Sequence, residues 1–306
     1  VHKNGFKVVL TGEGADEVFA GYNIFRETKV RRFWARQPDS AFRPLLLARL
    51  YPYILNDPKL KHTLKSFFGA GLDQPDDPFF SHYIRWRGTS RTKTFFSPAF
   101  RAELGDYDCR DDLRGRLPDE FDSWDYLSRA QYLEMSLFLS NYLLSSQGDR
   151  VAMAHSLEIR LPYLDYRLIE LMGKVKAPAK IAGLNEKVLL KKALADVLPR
   201  SIVDRDKHPY RAPIKQSLLD GEDNRVFSPD ALVECGIFDE RKVPRLVEKL
   251  QKRENASEFD NMALTGIYST QMIYEQFVRS FGSIDLPEVP VNILVDRRKN
   301  TKQFEE

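Results

Sequence analysis

The chain has 306 residues, enough for one large domain or two ordinary ones with a self-sufficient core. Hydrophobic residues make up 42% and charged residues 30%, too apolar and too evenly mixed for a disordered chain. With 47 Lys and Arg against 44 Asp and Glu, the formal charge of +3 gives no general footprint for nucleic acid, and any basic surface is local.

The chain starts at Val1 and almost at once reaches Phe6-Lys7-Val8-Val9-Leu10, an apolar string that predicts a buried strand and a start in the middle of a domain. Thr11-Gly12-Glu13-Gly14-Ala15-Asp16-Glu17 follows, and Val18, Phe19, Ala20 and Tyr22 then take helical spacing. A strand that turns through glycines into a helix presents unpaired backbone N–H groups that suit phosphate or carboxylate oxygens. Glu13, Asp16 and Glu17 would repel a bare phosphate, so the combination implies a nucleotide carrying a divalent cation such as Mg²⁺. Taken alone, the same residues also fit a tight turn whose acids complement the helix dipole, and neither the dinucleotide fingerprint nor the Walker lysine motif is present.

Residues 37–118 are rich in proline, aromatics and short helical runs, with turn signals at 56–58 and 74–78, and no chemistry attaches to them. Cys109 and Cys235 lie far apart without a CxxC partner, which reads as two ordinary thiols in a reducing, cytoplasmic setting. Between Trp124 and Ala154 the apolar residues fit a helical period on two faces, so this helix is expected to be buried on most sides. No apolar run is long enough for a bilayer span.

A second cluster runs from Ser145 through Gln147-Gly148-Asp149-Arg150 and His155 to Glu158-Ile159-Arg160 and Pro162-Tyr163-Leu164-Asp165. Buried charge is costly unless paired, so Asp149, Arg150, Glu158 and Arg160 are expected to pair with one another or with a ligand. A structural salt-bridge network explains these residues equally well. His155 alone reads as a structural residue. Helices are predicted over 164–174 and 185–197, the latter capped by Asn185 and closed by Pro199. The loop Asp204 to Pro213 is stiffened by prolines and carries Lys207, a point charge that can meet developing phosphate charge, although such a loop is more often simply solvated. Helices over 240–253 and 261–281 complete a mainly helical C-terminal half, and 286–306 reads as a mobile tail.

Taken in this order and separation, the three clusters resemble the synthetase domain of glutamine-hydrolysing asparagine synthetases. Thr11 through Tyr22 is similar to that family's Ser-Gly-Glu-Gly-Ser/Ala-Asp-Glu-Val-Phe-x-Gly-Tyr segment, with threonine keeping the hydroxyl. Gln147 to Arg150 with Glu158-x-Arg160-x-Pro162-x-Leu164-Asp165 is similar to the segment beside its nucleotide and acceptor pocket, and Lys207-x-Pro209-Tyr210-Arg211-Ala212-Pro213 to its lysine loop.

The resemblance implies an α/β, mostly helical fold over residues 1–285, the C-terminal portion of an N-type ATP pyrophosphatase domain related to the adenine nucleotide alpha hydrolases. It implies that Thr11, Gly12, Glu13, Gly14 and Asp16 bind ATP, that Glu13 and Asp16 serve Mg²⁺ and pyrophosphate, and that Lys207 stabilises phosphoryl charge. Glu17, Asp149, Arg150, Glu158 and Arg160 would shape the substrate pocket. The implied reaction forms β-aspartyl-AMP from aspartate and ATP, then asparagine with glutamine-derived ammonia. The implied partners are these small molecules, with no nucleic acid or membrane, and a homodimer is compatible with the family. The family's Ser-Gly-Gly-x-Asp-Ser loop and its glutaminase domain are absent from these 306 residues, so the chain alone is expected to have little activity. Two rivals stand beside this reading. One is a related amide-forming enzyme, β-lactam synthetase-like, lasso-peptide-cyclase-like or a secondary-metabolite amidotransferase, for which Tyr22 is the acid-base candidate. The other is a non-catalytic module of the same fold.

Overall fold

The computed structural model describes residues 1–52, 65–205, 212–220 and 224–281. The chain divides into two compact units, residues 1–93 with 105–212, and residues 94–104 with 213–306. The expected tail over 286–306 lies outside the described residues.

The first unit opens with β1 (Val8–Leu10), then α1 (Ala15–Val18) and α2 (Asn23–Ala35). The helical spacing read from Val18 to Tyr22 is interrupted. Ala20 takes φ 58, a left-handed conformation, and separates the short α1 from the longer α2. Further along come α3 (Phe80–Ser90) and α4 (Tyr126–Leu133). Asp125 starts α4 by accepting hydrogen bonds from Leu127 N at 2.9 Å and Ser128 N at 3.3 Å, satisfying backbone donors that the first helical turn leaves unpaired.

The helix predicted between Trp124 and Ala154 is present but not uniform. After α4 it winds as a π-helix over Glu134–Asp149, before an α-helical turn over Arg150–Ala154. Ser140 Oγ and Asn141 Nδ2 donate to Ser136 O at 2.6 and 3.1 Å, giving wide-turn carbonyls extra partners. Wider winding changes the angular step per residue, so the apolar stripe leaves the core. Leu127, Ala130 and Leu133 are buried as expected, whereas Phe138 and Tyr142 are exposed, a correction to the helix buried on most sides.

β2 (Glu158–Arg160) pairs in parallel with β1 in the register Val8↔Glu158, Val9↔Ile159 and Leu10↔Arg160. The strand at Phe6 to Leu10 was expected to be buried. Phe6, Val8 and Leu10 are instead exposed, because the two-stranded pair has no layer over their side chains among the described residues. Next come α5 (Tyr166–Lys174), which Asp165 caps through Arg167 N at 2.9 Å, and α6 (Val188–Ala193). The helix expected over 185–197 is thus shorter. Asn185 does not cap it, being held in a bridge to Ala182, and Lys187 occupies the cap position.

Several small apolar clusters hold this unit. Ala20, Ile24 and Phe25 pack with Leu127, Ala130 and Ile181, while Val18 and Phe19 pack with Met172. Val30 and Trp34 of α2 pack with Leu47, Phe68, Phe80 and Ile84. Leu47, Phe68, Phe80 and Ile84, from the stretch to which no chemistry attached, therefore have a structural role. Arg31 is fully buried there and donates to the carbonyls of Phe68, Phe80 and Ala70 at 3.0, 2.7 and 2.7 Å, hydrogen bonds that offset the cost of burying its guanidinium.

The second unit contains α7 (Ile214–Leu219), α8 (Pro229–Cys235), α9 (Lys242–Gln251) and α10 (Glu258–Tyr274). Val243, Leu246 and Leu250 line one face of α9 and pack with Leu232, Leu264 and Ile267. Ser257 caps α10 and shares a reciprocal pair of hydrogen bonds with Asp260, from Asp260 N at 3.1 Å and to Asp260 Oδ2 at 2.8 Å. Cys109 and Cys235 are free thiols. Among the described residues no helix is long and apolar enough to cross a membrane.

Candidate functional site

The turn after β1 is positioned from three sides. Thr11 N donates to Arg160 O at 3.1 Å, continuing the parallel pairing past the end of the strands. Gly14 takes φ 86, and a Cβ there would lie 2.2 Å from Leu164 Cδ2, so both the dihedral and the neighbour demand glycine. Behind α1, Gln131 Nε2 donates to the carbonyls of Glu17 and Val18 at 2.6 and 2.9 Å. Lys180 Nζ in turn donates to Gln131 Oε1 at 2.9 Å, and burial pushes the Lys180 ammonium below its usual pKa.

The three acids of this turn have different surroundings. Glu13 Oε2 is buried and has no hydrogen-bond partner among the described residues, and Thr11 Oγ1 shares that condition. Burial raises the pKa of Glu13, and the Asp149 carboxylate raises it further. A Cβ on Gly148 would lie 3.8 Å from Glu13 Oε2, so the first and second sequence clusters meet at this point. Asp16 Oδ1 pairs with Lys187 Nζ at 2.7 Å. Glu17 is fully buried and accepts a hydrogen bond from Tyr22 OH at 2.9 Å. Burial raises the pKa of Glu17 and also that of Tyr22, the latter with help from Glu17 itself.

The premise that the second cluster is buried does not hold. Asp149, Arg150, Glu158 and Arg160 are exposed. Glu158 Oε1 and Arg160 Nε do pair, at 2.6 Å, but with about 60% of each side chain in solvent, where such a pair adds little stability. His155 is also exposed, with Nδ1 2.8 Å from Val151 O, as its structural reading anticipated. Lys207 lies outside the described residues.

Sequence reading missed Lys187, Arg26 and Glu186. Glu186 is buried and pairs with Arg26 at 2.9 Å and with Lys191 at 3.1 Å, beside the Lys187 contact to Asp16. Nothing in Asn185-Glu186-Lys187 signals the contacts to Arg26 and Asp16, since those two partners lie far away in the chain.

The geometry suits a metal-nucleotide in one specific respect. The buried and unpartnered Thr11 Oγ1 and Glu13 Oε2 supply a hydroxyl and a carboxylate without a cation, and Mg²⁺ needs only one or two protein carboxylates when phosphate oxygens and water complete its shell. No group of three or more His, Cys, Asp or Glu suited to a metal occurs among the described residues.

The chain is similar in sequence to known proteins. A putative glutamine-hydrolysing asparagine synthetase of Mycobacterium tuberculosis is 28% identical over 217 residues, covering 71% of this chain and 31% of that protein. Glutamine-hydrolysing asparagine synthetase 1 of Bacillus subtilis is 27% identical over 220 residues, covering 71% of this chain and 32% of its own length. Amidase chyE of Penicillium rubens is 26% identical over 229 residues, covering 70% of this chain and 33% of its own. The chain thus spans about a third of the length of these curated relatives. The profile of the asparagine synthase family matches residues 1–275, a span that takes in the glycine turn, the parallel strand pair and the helices that brace them, and the chain belongs to that family.

Proposed function

We propose that the protein carrying this chain forms an amide bond driven by ATP, through adenylation of a carboxylate, and that the carboxylate is the β-group of aspartate. The chain would be the C-terminal portion of an N-type ATP pyrophosphatase domain. A carboxylate oxygen attacks the α-phosphorus of ATP and pyrophosphate leaves. Ammonia then attacks the acyl carbon, AMP leaves as the C–O bond breaks, and nitrogen loses a proton. Activation is needed because a free carboxylate is a poor electrophile and oxide a far worse leaving group than AMP. Mg²⁺, when bound, supplies charge neutralisation on the phosphates.

This chain's residues divide the work. Thr11 and Gly12 meet the adenylate side, and Glu13 in the turn before Gly14 faces the metal-pyrophosphate side with Asp16 behind it. Lys207, which lies outside the described residues, would stabilise phosphoryl charge. Asp149, Arg150, Glu158 and Arg160 border the acceptor pocket. The observation that carries this reading is the buried, unpartnered Glu13 Oε2 beside Gly148 and Asp149, a carboxylate whose surroundings favour the arrival of a cation.

The test uses the full-length protein with ATP, Mg²⁺, aspartate and ammonia, with pyrophosphate release as the readout. Glu13→Gln and Lys207→Ala are each expected to lower turnover about 100-fold or more, with nucleotide binding kept in Lys207→Ala. Wild-type turnover in Glu13→Gln would overturn the assignment. The 306 residues alone, which lack the Ser-Gly-Gly-x-Asp-Ser loop, are expected to release little pyrophosphate under the same conditions.

A second reading is favoured by one contact and by the fungal amidase among the relatives. Tyr22 OH donates to the buried Glu17 at 2.9 Å, so the phenol proton already has a carboxylate to receive it, although burial holds the phenol above its usual pKa; this contact is what a β-lactam synthetase-like reaction on another acceptor would use. Tyr22→Phe discriminates. A large loss of turnover supports that reading, and near-normal turnover supports asparagine formation.

A further inference from the structure

Val18, at the end of α1, borders a cavity of about 440 Å³ that lies among α1, α4, α5 and the short helical turn Ala177–Lys180. Small-molecule sites span roughly 300–1,000 Å³, so the space suits a compact ligand. Trp124, Tyr132, Met135, Ile169 and Met172 join Val18 in an apolar and aromatic wall. Gly173, which also lines the cavity, is exposed, so the space opens to solvent. Among the described residues, none of those assigned above to the nucleotide or to the acceptor lines it.

One cation stands in this apolar wall. Lys180 is only 4% exposed, and its ammonium donates to Gln131 Oε1, a neutral acceptor, at 2.9 Å. Among the described residues Lys180 forms no ion pair, and burial outweighs the attraction of Asp125 in lowering its pKa. Asp125 also lines the cavity, but its oxygens are engaged. Oδ1 accepts from Leu127 N and Ser128 N at 2.9 and 3.3 Å, and Oδ2 accepts from Ser128 Oγ at 2.6 Å. An ammonium has three N–H donors, and among the described residues only Gln131 takes one of them. A buried charge without a counter-ion is costly, and the missing counter-ion defines the ligand.

We infer that this cavity is a binding site for a small monocarboxylate with an apolar or aromatic body, whose carboxylate pairs with the Lys180 ammonium. A single negative charge matches the single cation in need of a partner. A phosphate ester or a sugar acid would carry further polar groups against an apolar wall and lose their hydration without replacement. An aromatic body instead packs on Trp124, Tyr132 and the two methionines. The site is one side chain away from the glycine turn, because Gln131 holds the carbonyls of Glu17 and Val18 with Nε2 and receives Lys180 with Oε1. It stands whether or not the protein consumes ATP.

The test is titration of the full-length protein, its methionine methyl groups isotope-labelled, with phenylacetate, phenylacetamide and phenethylamine. Phenylacetate is expected to bind on the order of tenfold more tightly than the neutral amide, since the buried ammonium gains a charge-assisted partner. It is also expected to shift the methyl signals of Met135 and Met172, which line the cavity. Lys180→Met keeps most of the side-chain length without the charge, and is expected to weaken phenylacetate about tenfold while leaving the amide unchanged. An added Cβ on Gly173 meets nothing within 4 Å, so Gly173→Leu fills space at this wall with Lys180 intact. That variant is expected to weaken both ligands, and together with the wild-type comparison it decides the matter should Lys180→Met fail to fold. The inference is overturned if the amide or the amine binds as tightly as phenylacetate, if either variant keeps wild-type affinity for phenylacetate, or if binding leaves the Met135 and Met172 signals in place. Absence of phenylacetate binding up to about 10 mM overturns it as well.

Discussion

At the scale of single residues, the site depends on positions where a side chain is excluded as much as on those where one is supplied. Gly14 combines φ 86 with a Cβ direction 2.2 Å from Leu164 Cδ2. Gly14→Ala is expected to destabilise the first unit by about 1–3 kcal/mol, read as a lower midpoint in denaturant unfolding, and Leu164→Ala in the same chain should recover only the steric part. A Gly14→Ala chain as stable as wild type would contradict the strained dihedral. Gly14 was legible in the sequence because the turn motif names it. Lys187 was not, because a lysine before a helix looks the same whether it faces water or Asp16. Glu158 and Arg160 show the opposite limit: the pairing was anticipated, but the burial assumed for it was not found.

At the scale of elements, short-range chemistry sets most boundaries. Asp125, Asp165 and Ser257 each accept a backbone N–H at the start of a helix, and Gly236 at φ 74 ends α8. Asp260 makes α10 sensitive to acid. It is buried, which disfavours its charge, but Lys249 Nζ at 2.7 Å and Ser257 Oγ at 2.8 Å more than offset this and hold its pKa below the ordinary 3.8. A carboxyl with a depressed folded pKa stabilises the fold fully above its unfolded value, and that contribution is lost as pH falls through the folded value. Asp260→Asn is therefore expected to cost about 1.5–3 kcal/mol at neutral pH, with the difference from wild type shrinking below about pH 4 in denaturant unfolding. A constant difference down to pH 2 would refute the assignment. The π-winding over Glu134–Asp149 had no signature in the apolar spacing, since an apolar stripe of helical period fits the preceding α4 equally well.

At the scale of the whole molecule, the two units carry separate apolar clusters, and α10 supplies Leu264 to the larger one. Leu264→Ala is expected to cost about 2–5 kcal/mol in that unit, seen as faster amide hydrogen exchange across α9 and α10. Faster exchange appearing first in α2 would contradict this placement of the core. The sequence by itself determined the glycine turn with its acids, the presence of the main helices and the family resemblance, because dihedral limits, apolar periodicity and motif spacing are properties of a few adjacent residues. Only the tertiary structure decided that β1 and β2 pair in parallel, that Glu13 lies beside Gly148 while Asp16 is held by Lys187, and that the charged residues around β2 face solvent. Those outcomes depend on which distant segments share a surface, and a charge or an apolar side chain carries no local mark of the partner that packing will bring to it.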